Sequence, residues 1–197
     1  TVNTPEMKEA LEKIKALTDA GLMTPYGEDG YLMFQGGNVL LSTDGTWTST
    51  AHNAVDGLNW GVTNIYSTSD DIATNRAASH MFGMLKSESR TEEKKEVIAK
   101  FLEFVRTNSI EWAKAGQIVA SKDVLESDDY KKYPQSFFTS TPEEEDTLYI
   151  FDYVYFSYVL EALDVYCTDI AYGELDLDEG LATMQQYVED KIAEVAK

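Results

Sequence analysis

One cysteine, two histidines and four prolines are all that the 197 residues hold of these types. A lone Cys167 excludes an intramolecular disulfide framework and a cysteine-rich zinc site. Two histidines far apart, with that one cysteine, have no metal-ligand spacing, so neither a metal nor a cofactor is expected. Cations are scarce as well: 16 Lys and Arg stand against 35 Asp and Glu, a net charge of −19. Such a surface repels phosphate backbones and anionic membranes, which argues against nucleic acid as a partner. No apolar run approaches the ~18 residues needed to span a bilayer. The opening "TVNTPEMKEAL" has neither the basic nor the apolar region of an export signal.

The motifs of common catalysts are missing too. No glycine-rich loop carries the Lys-Ser/Thr of a nucleotide site, "FQGGNV" lacks the spacing of a dinucleotide turn, and there is no G-x-S-x-G elbow. Ser79 and His80 are adjacent, and on a strand neighbours point to opposite faces, so they do not form a nucleophile–base pair with each other. "DLDEG" is similar to a calcium loop, but its glycine falls one place early and Tyr187 stands where a bidentate glutamate belongs. Carboxylates abound without any spacing that selects an acid–base pair. No enzyme is expected.

What is present is a helix-rich pattern with short strands. Thr4, Pro5 and Glu6 open a first helix with Met7, Leu11, Ile14 and Leu17 on one stripe and Gly21 at its end. "YLMFQGGN" reads as a helical turn, and "VLLST", "LNWGVTNI" and "AASHMFGMLK" as three short strands. Ser89 or Thr91 caps a helix that buries Val97, Ile98, Phe101, Leu102 and Val105; Asn108 caps a shorter one closed by Gly116. After Pro142 a long aromatic helical run extends to Gly173, and Asp176 caps a last helix with Leu181, Met184, Val188, Ile192 and Val195 on its buried stripe.

Several of these stretches, in order, resemble the extracellular solute-binding proteins of carbohydrate ABC importers, in the maltose-binding-like class. "FQGGNVLLSTDGTW" is similar to the family's F-x-x-G-x-x-A-M-x-x-x-G-x-W segment through Phe34, Gly37, Gly45 and Trp47. "SHMFGMLKSESRTEEKKEVIAKFLEFVRTNSIEWAKAGQIVASK" resembles the series S-H-x-F-x-x-x-K, E-E-K, A-x-x-F and W-x-x-x-G-x-I-P-A-x-K, and "AYGELDLDEGLATMQQYVEDKI" resembles the closing G-x-x-S-x-E-E-A-L helix. Val119 and Tyr66 stand where the family has proline, Leu40-Leu41 where it has Ala-Met, and the chain is about half a full member's length.

The resemblance implies an α/β fold: the helix-rich part of a periplasmic-binding-protein-like (type II) architecture, with short strands and flanking helices, incomplete relative to the two-lobed family fold. Residues 1–197 then form the C-terminal portion, with a hinge crossing near 79–86 and the other lobe and export signal upstream of Thr1. The implied function is capture of a sugar or oligosaccharide between lobes for delivery to the permease subunits of the importer. The implied place is extracytoplasmic, lipid-anchored at the cell surface or periplasmic. Surfaces that meet the other lobe are expected to be unusually apolar. A glycan-active extracellular enzyme, or its accessory binding domain, is the alternative reading.

The implied ligand-binding residues are Gly45, Trp47, Ser79, His80 and Tyr155. Trp47 lies in a turn of small polar residues, "STDGTWTST", and has two readings: a sugar-stacking ring in a cleft, or a satellite core residue folded back on the first helix. His80 is either a structural hydrogen-bonder or a ligand contact. Tyr153, Tyr155, Phe156 and Tyr158 form an aromatic cluster from which Tyr155 is the choice for the cleft. Trp60, in an alternating segment, and Trp112, beside Ile110 and Ala113, read as packing.

Overall fold

A computed structural model describes residues 1–65 and 74–196; Tyr66 lies outside them. The described chain is helix-rich. In order it forms α1 (Pro5–Asp19), α2 (Gly30–Gln35), a 3₁₀ turn at Thr46–Thr48 that runs into α3 (Ser49–Asn53), and β1 (Asn75–Arg76). Then come α4 (Glu92–Thr107), α5 (Ile110–Lys114), α6 (Lys122–Leu125), 3₁₀ turns at Tyr130–Lys132 and Pro134–Thr139, α7 (Pro142–Glu145), β2 (Leu148–Tyr149), α8 (Phe156–Tyr172) and α9 (Leu177–Val195). The chain divides into two compact units, residues 1–33 with 151–196, and residues 34–65 with 74–150.

The first unit is built on α1, α8 and α9. Each helix starts or stops where its local chemistry dictates. Thr4 accepts from the Met7 amide at 3.2 Å, and Asp176 accepts from the amides of Asp178 and Glu179 at 3.0 and 3.1 Å, so orphan donors of the first turns are satisfied. At the other end of α8, Gly173 takes the left-handed conformation at φ 77° that stops a helix cheaply. Leu11, Ala162, Ile170, Leu181, Met184 and Val188 interdigitate as the buried core, and Val2 joins them because the Gln185 side-chain oxygen accepts from its amide at 2.8 Å. A Lys8–Asp178 ion pair and the bond from the Tyr26 hydroxyl to Asp169 at 2.7 Å tie the surface of the same unit. The hydrogen bond that Tyr187 donates to Glu161, with desolvation and that carboxylate's charge adding to it, pushes the phenol up to about 12.

Gly180 sets how closely α8 and α9 approach: a Cβ there would lie 2.5 Å from Cδ1 and 2.6 Å from Cγ1 of the buried Ile170.

The second unit is looser. Its one ladder among the described residues is the parallel pair β1–β2, Asn75 opposite Leu148 and Arg76 opposite Tyr149. Its core is a small cluster of Ala113, Val119 and Tyr130, with Ile110, Val124, Leu125 and Tyr133 packed on it. Burial raises the Tyr130 hydroxyl above its ordinary range.

Several expectations are corrected here. "VLLST", "LNWGVTNI" and "AASHMFGMLK" carry strand-like composition but are not strands: strand structure needs a neighbouring backbone, and in the third segment that pairing stops at Ala77, whose amide donates to the Tyr149 carbonyl at 2.8 Å. The aromatic run after Pro142 is not one helix: α7 ends at Glu145, β2 follows, and α8 starts only at Phe156. The β-branched and aromatic residues Thr147, Tyr149, Ile150, Tyr153 and Val154 favour that interruption. Asn108 does not cap α5; it closes α4, donating its side-chain amide to the Phe104 carbonyl at 2.8 Å, while Thr91 caps α4's start. The stripe of α4 is not core. Val97 is 61% and Phe101 53% exposed, with Leu102 exposed and Ile98 and Val105 half-buried. Periodicity declares which face seeks burial but not that anything covers it, and Phe101 stays half exposed although the Phe82 ring meets it at right angles, 5.9 Å between centroids.

The same unit exposes Leu40, Leu41, Met81, Phe82, Met84 and Leu85.

Two stability predictions follow from burial. Gly180→Ala should destabilise by about 1–2 kcal/mol, overpacking outweighing the better helix propensity, and in an Ile170→Ala background the added methyl should cost nothing. A double-mutant cycle in urea without coupling would refute the close approach. Leu181→Ala should cost about 2–5 kcal/mol, whereas Phe101→Ala should stay within about 1 kcal/mol of wild type, measured in the same way.

Candidate functional site

The turn around Trp47 is folded by its own small polar residues. Asp44 accepts from the Gly45 amide at 2.7 Å, the Thr48 hydroxyl donates to the Gly45 carbonyl at 2.9 Å, and the Ser49 hydroxyl donates to the Thr46 carbonyl at 2.6 Å. These bonds wind Thr46–Thr48 into its 3₁₀ turn. The indole of Trp47 then lies against Gly45, where a Cβ would come within 2.1–2.2 Å of three ring carbons. Only a residue without a side chain makes that seat. Trp47 is 62% exposed, so it is not a satellite core residue.

A second contact fixes where the turn points. Gly116 follows α5 at φ +90°, and a Cβ on it would stand 2.0 Å from the Thr46 carbonyl oxygen and 3.2 Å from Cβ of Ser49. The Thr50 hydroxyl adds a long bond, 3.4 Å, to the Lys114 carbonyl. The turn is therefore docked on the end of α5. That helix is anchored in its turn: Ala113 is fully buried, and the buried Gln135 amide donates to the carbonyls of Ala113 at 2.6 Å and Gln117 at 3.4 Å.

His80 and Ser79 are both exposed, in the irregular segment after β1. The Ser79 hydroxyl donates to the His80 carbonyl at 3.3 Å, and the His80 ring meets the Trp112 ring edge-on, centroids 6.1 Å apart and planes at 89°. So Gly45, Trp47, Ser79 and His80 lie in one unit, in segments that touch α5 or its terminal glycine. Tyr155 belongs to the other unit. It is half-buried just before α8, with its ring stacked on Tyr158 at 6.2 Å and edge-on to Tyr153 at 5.8 Å.

Trp60 is a packing residue, as its alternating context suggests. Its indole N–H donates to Asn53 at 3.0 Å and its ring meets the buried His52, which also contacts Phe34. Trp112 is not: it is 51% exposed. Sequence reasoning missed it although the signal was there. Ile110 and Ala113 are three apart and share the inward face of α5, which leaves Trp112 off that stripe.

Among the described residues no His, Cys, Asp and Glu cluster could hold a metal ion. A groove of about 450 Å³ in the first unit is lined by Tyr166, Glu179, Thr183, Gln186, Tyr187 and Asp190, but it contains none of the residues above. Its two tyrosine rings already meet each other, and Lys191 lies over Tyr187. What the Trp47 region offers chemically is apolar ring surface beside hydroxyl, imidazole and backbone polar groups, with no nucleophile held by a base.

Comparison with protein-family models and with curated proteins returns no match.

Gly116→Ala should unseat the turn, since it combines a left-handed backbone with a collision against a carbonyl; a loss of about 1–3 kcal/mol and a displaced Trp47 indole resonance are expected. Gly45→Ala should move the same resonance while leaving stability within about 0.5 kcal/mol, because only an exposed ring must shift. Unchanged spectra in both variants would remove the bracket.

Proposed function

We propose that this chain is the C-terminal portion of the substrate-binding component of a carbohydrate ABC importer, with a periplasmic-binding-protein-like architecture, taking up a sugar or oligosaccharide and handing it to the permease. The observation that carries the reading is the half-free indole of Trp47, seated on Gly45 and held by Gly116. The axial C–H face of a pyranose is apolar and slightly positive, which suits the negative face of a π system, while its hydroxyls point outward to polar groups. A rigidly held, exposed ring on a polar turn meets that need without having to be ordered on binding. Ser79 and His80, in the same unit as Trp47, supply further contacts in this reading. The ligand leaves unchanged, since no catalytic group is required of the site.

The motif order quoted above supports the same reading. In it, the exposed apolar surface of the second unit faces the other lobe of a two-lobed protein, and the place of action is extracytoplasmic.

Ligand-observed NMR with a panel of free mono- and disaccharides tests this. Saturation transfer to sugar C–H protons is expected, and Trp47→Ala should weaken binding by about 1–3 kcal/mol, the scale of other aromatic-stacking contacts, with folding kept. Binding that survives Trp47→Ala undiminished, or hydrolysis of the sugar, would overturn the reading.

A further inference from the structure

We infer that Trp112 is a second stacking surface of the same site, and that the ligand is an oligosaccharide spanning at least two adjoining sugar rings; this rests on the sugar-binding reading of Trp47. Three observations place the two indoles on one support. Trp112 sits on α5, about one helical turn before Gly116, and Gly116 is where the Trp47 turn docks through the Thr46 carbonyl. The backbones of the two tryptophans are thus separated by one helical turn plus one backbone contact, on the order of 10 Å, and a ligand that touches both rings is in this proposal longer than one sugar.

The second observation is the state of the rings. Both indoles are more than half exposed, and among the described residues neither indole N–H donates a bond within the protein, whereas that of Trp60 is bound by Asn53. Each exposed indole therefore keeps an apolar face and a donor, the pair of features a sugar ring with hydroxyls calls for.

Third, Trp112 is pre-positioned. Its neighbour Ala113 is wholly buried and its carbonyl is held by Gln135, while the edge-on His80 ring limits how the indole turns. A ring held this way loses little freedom on binding. His80 is then a positioning residue for Trp112 as well as a hydrogen-bonding group beside it.

The test is a titration of the chain with glucose, maltose, cellobiose, maltotriose and cellotriose, followed by ligand-observed NMR and calorimetry. At least one disaccharide should bind about five- to a hundred-fold more tightly than glucose, the gain expected of one added stacking contact. Trp112→Ala should abolish that advantage, and Trp112→Phe should restore most of it. Should the alanine variant unfold, Trp112→Leu, which keeps apolar bulk without a π face, makes the same comparison. Equal affinity for glucose and every longer sugar, or a disaccharide advantage that survives loss of the ring, overturns the inference while the single-ring reading stands. If none of the five sugars binds the unaltered chain, both fall.

Discussion

The Thr46 carbonyl oxygen occupies the space where a side chain on Gly116 would be, and Gly116 itself holds a φ that L-residues avoid. The hydrogen bonds within the 44–50 turn shape it but do not say where it points. Its orientation comes from this contact, and hence from α5, Ala113 and Gln135. The consequence is energetic. One aromatic stack contributes only about 1–3 kcal/mol, and ordering a loose segment costs about 1–2 kcal/mol per residue. An indole on a free turn would therefore gain nothing net from its ligand, while one on a docked turn keeps most of the gain.

The two units put their apolar residues to different use. In the first, α1, α8 and α9 close a core around Ile170, Leu181 and Met184 that excludes water on every side. In the second, a small cluster holds α5 in place while the α4 stripe and residues 81–85 remain open. Where such exposed side chains adjoin, as Phe82 and Phe101 do, the surface ordinarily meets something else.

Helix ends were legible because their causes are local: Thr4, Thr91, Asp176 and Gly173 act on amides and carbonyls within a few residues. The strands were not, because alternation at 58–65 or 77–86 gives the form of a strand and says nothing about a partner backbone. The stripe of α4 failed for the same reason. At the candidate site, the polar turn around Trp47 and the adjacency of Ser79 and His80 were readable, but their common support was not. That support is a collision avoided between Thr46 and Gly116, and a missing side chain leaves no positive signal in a sequence. Gly116 itself was readable only as the end of a helix.

The three tryptophans show how far geometry goes toward function. They are identical in composition and hydropathy, and each stands near a turn or a short helix. What separates them is what their two chemical features meet. Trp60 gives its N–H to Asn53, and its ring lies 5.1 Å from that of the buried His52. Trp47 lies against Gly45 and Trp112 meets the His80 ring, but both indoles are more than half exposed and, among the described residues, neither N–H is bound within the protein. An exposed indole costs a protein the hydration of a large apolar surface. Two of them on one support, beside a third that is half-buried and has its N–H bound, are hard to explain as packing, because a packing role would be served by burying them. The same rings become economical once a flat, part-apolar, part-hydroxylated ligand covers them, and that is the physical ground on which the sugar reading stands apart from the motif resemblance.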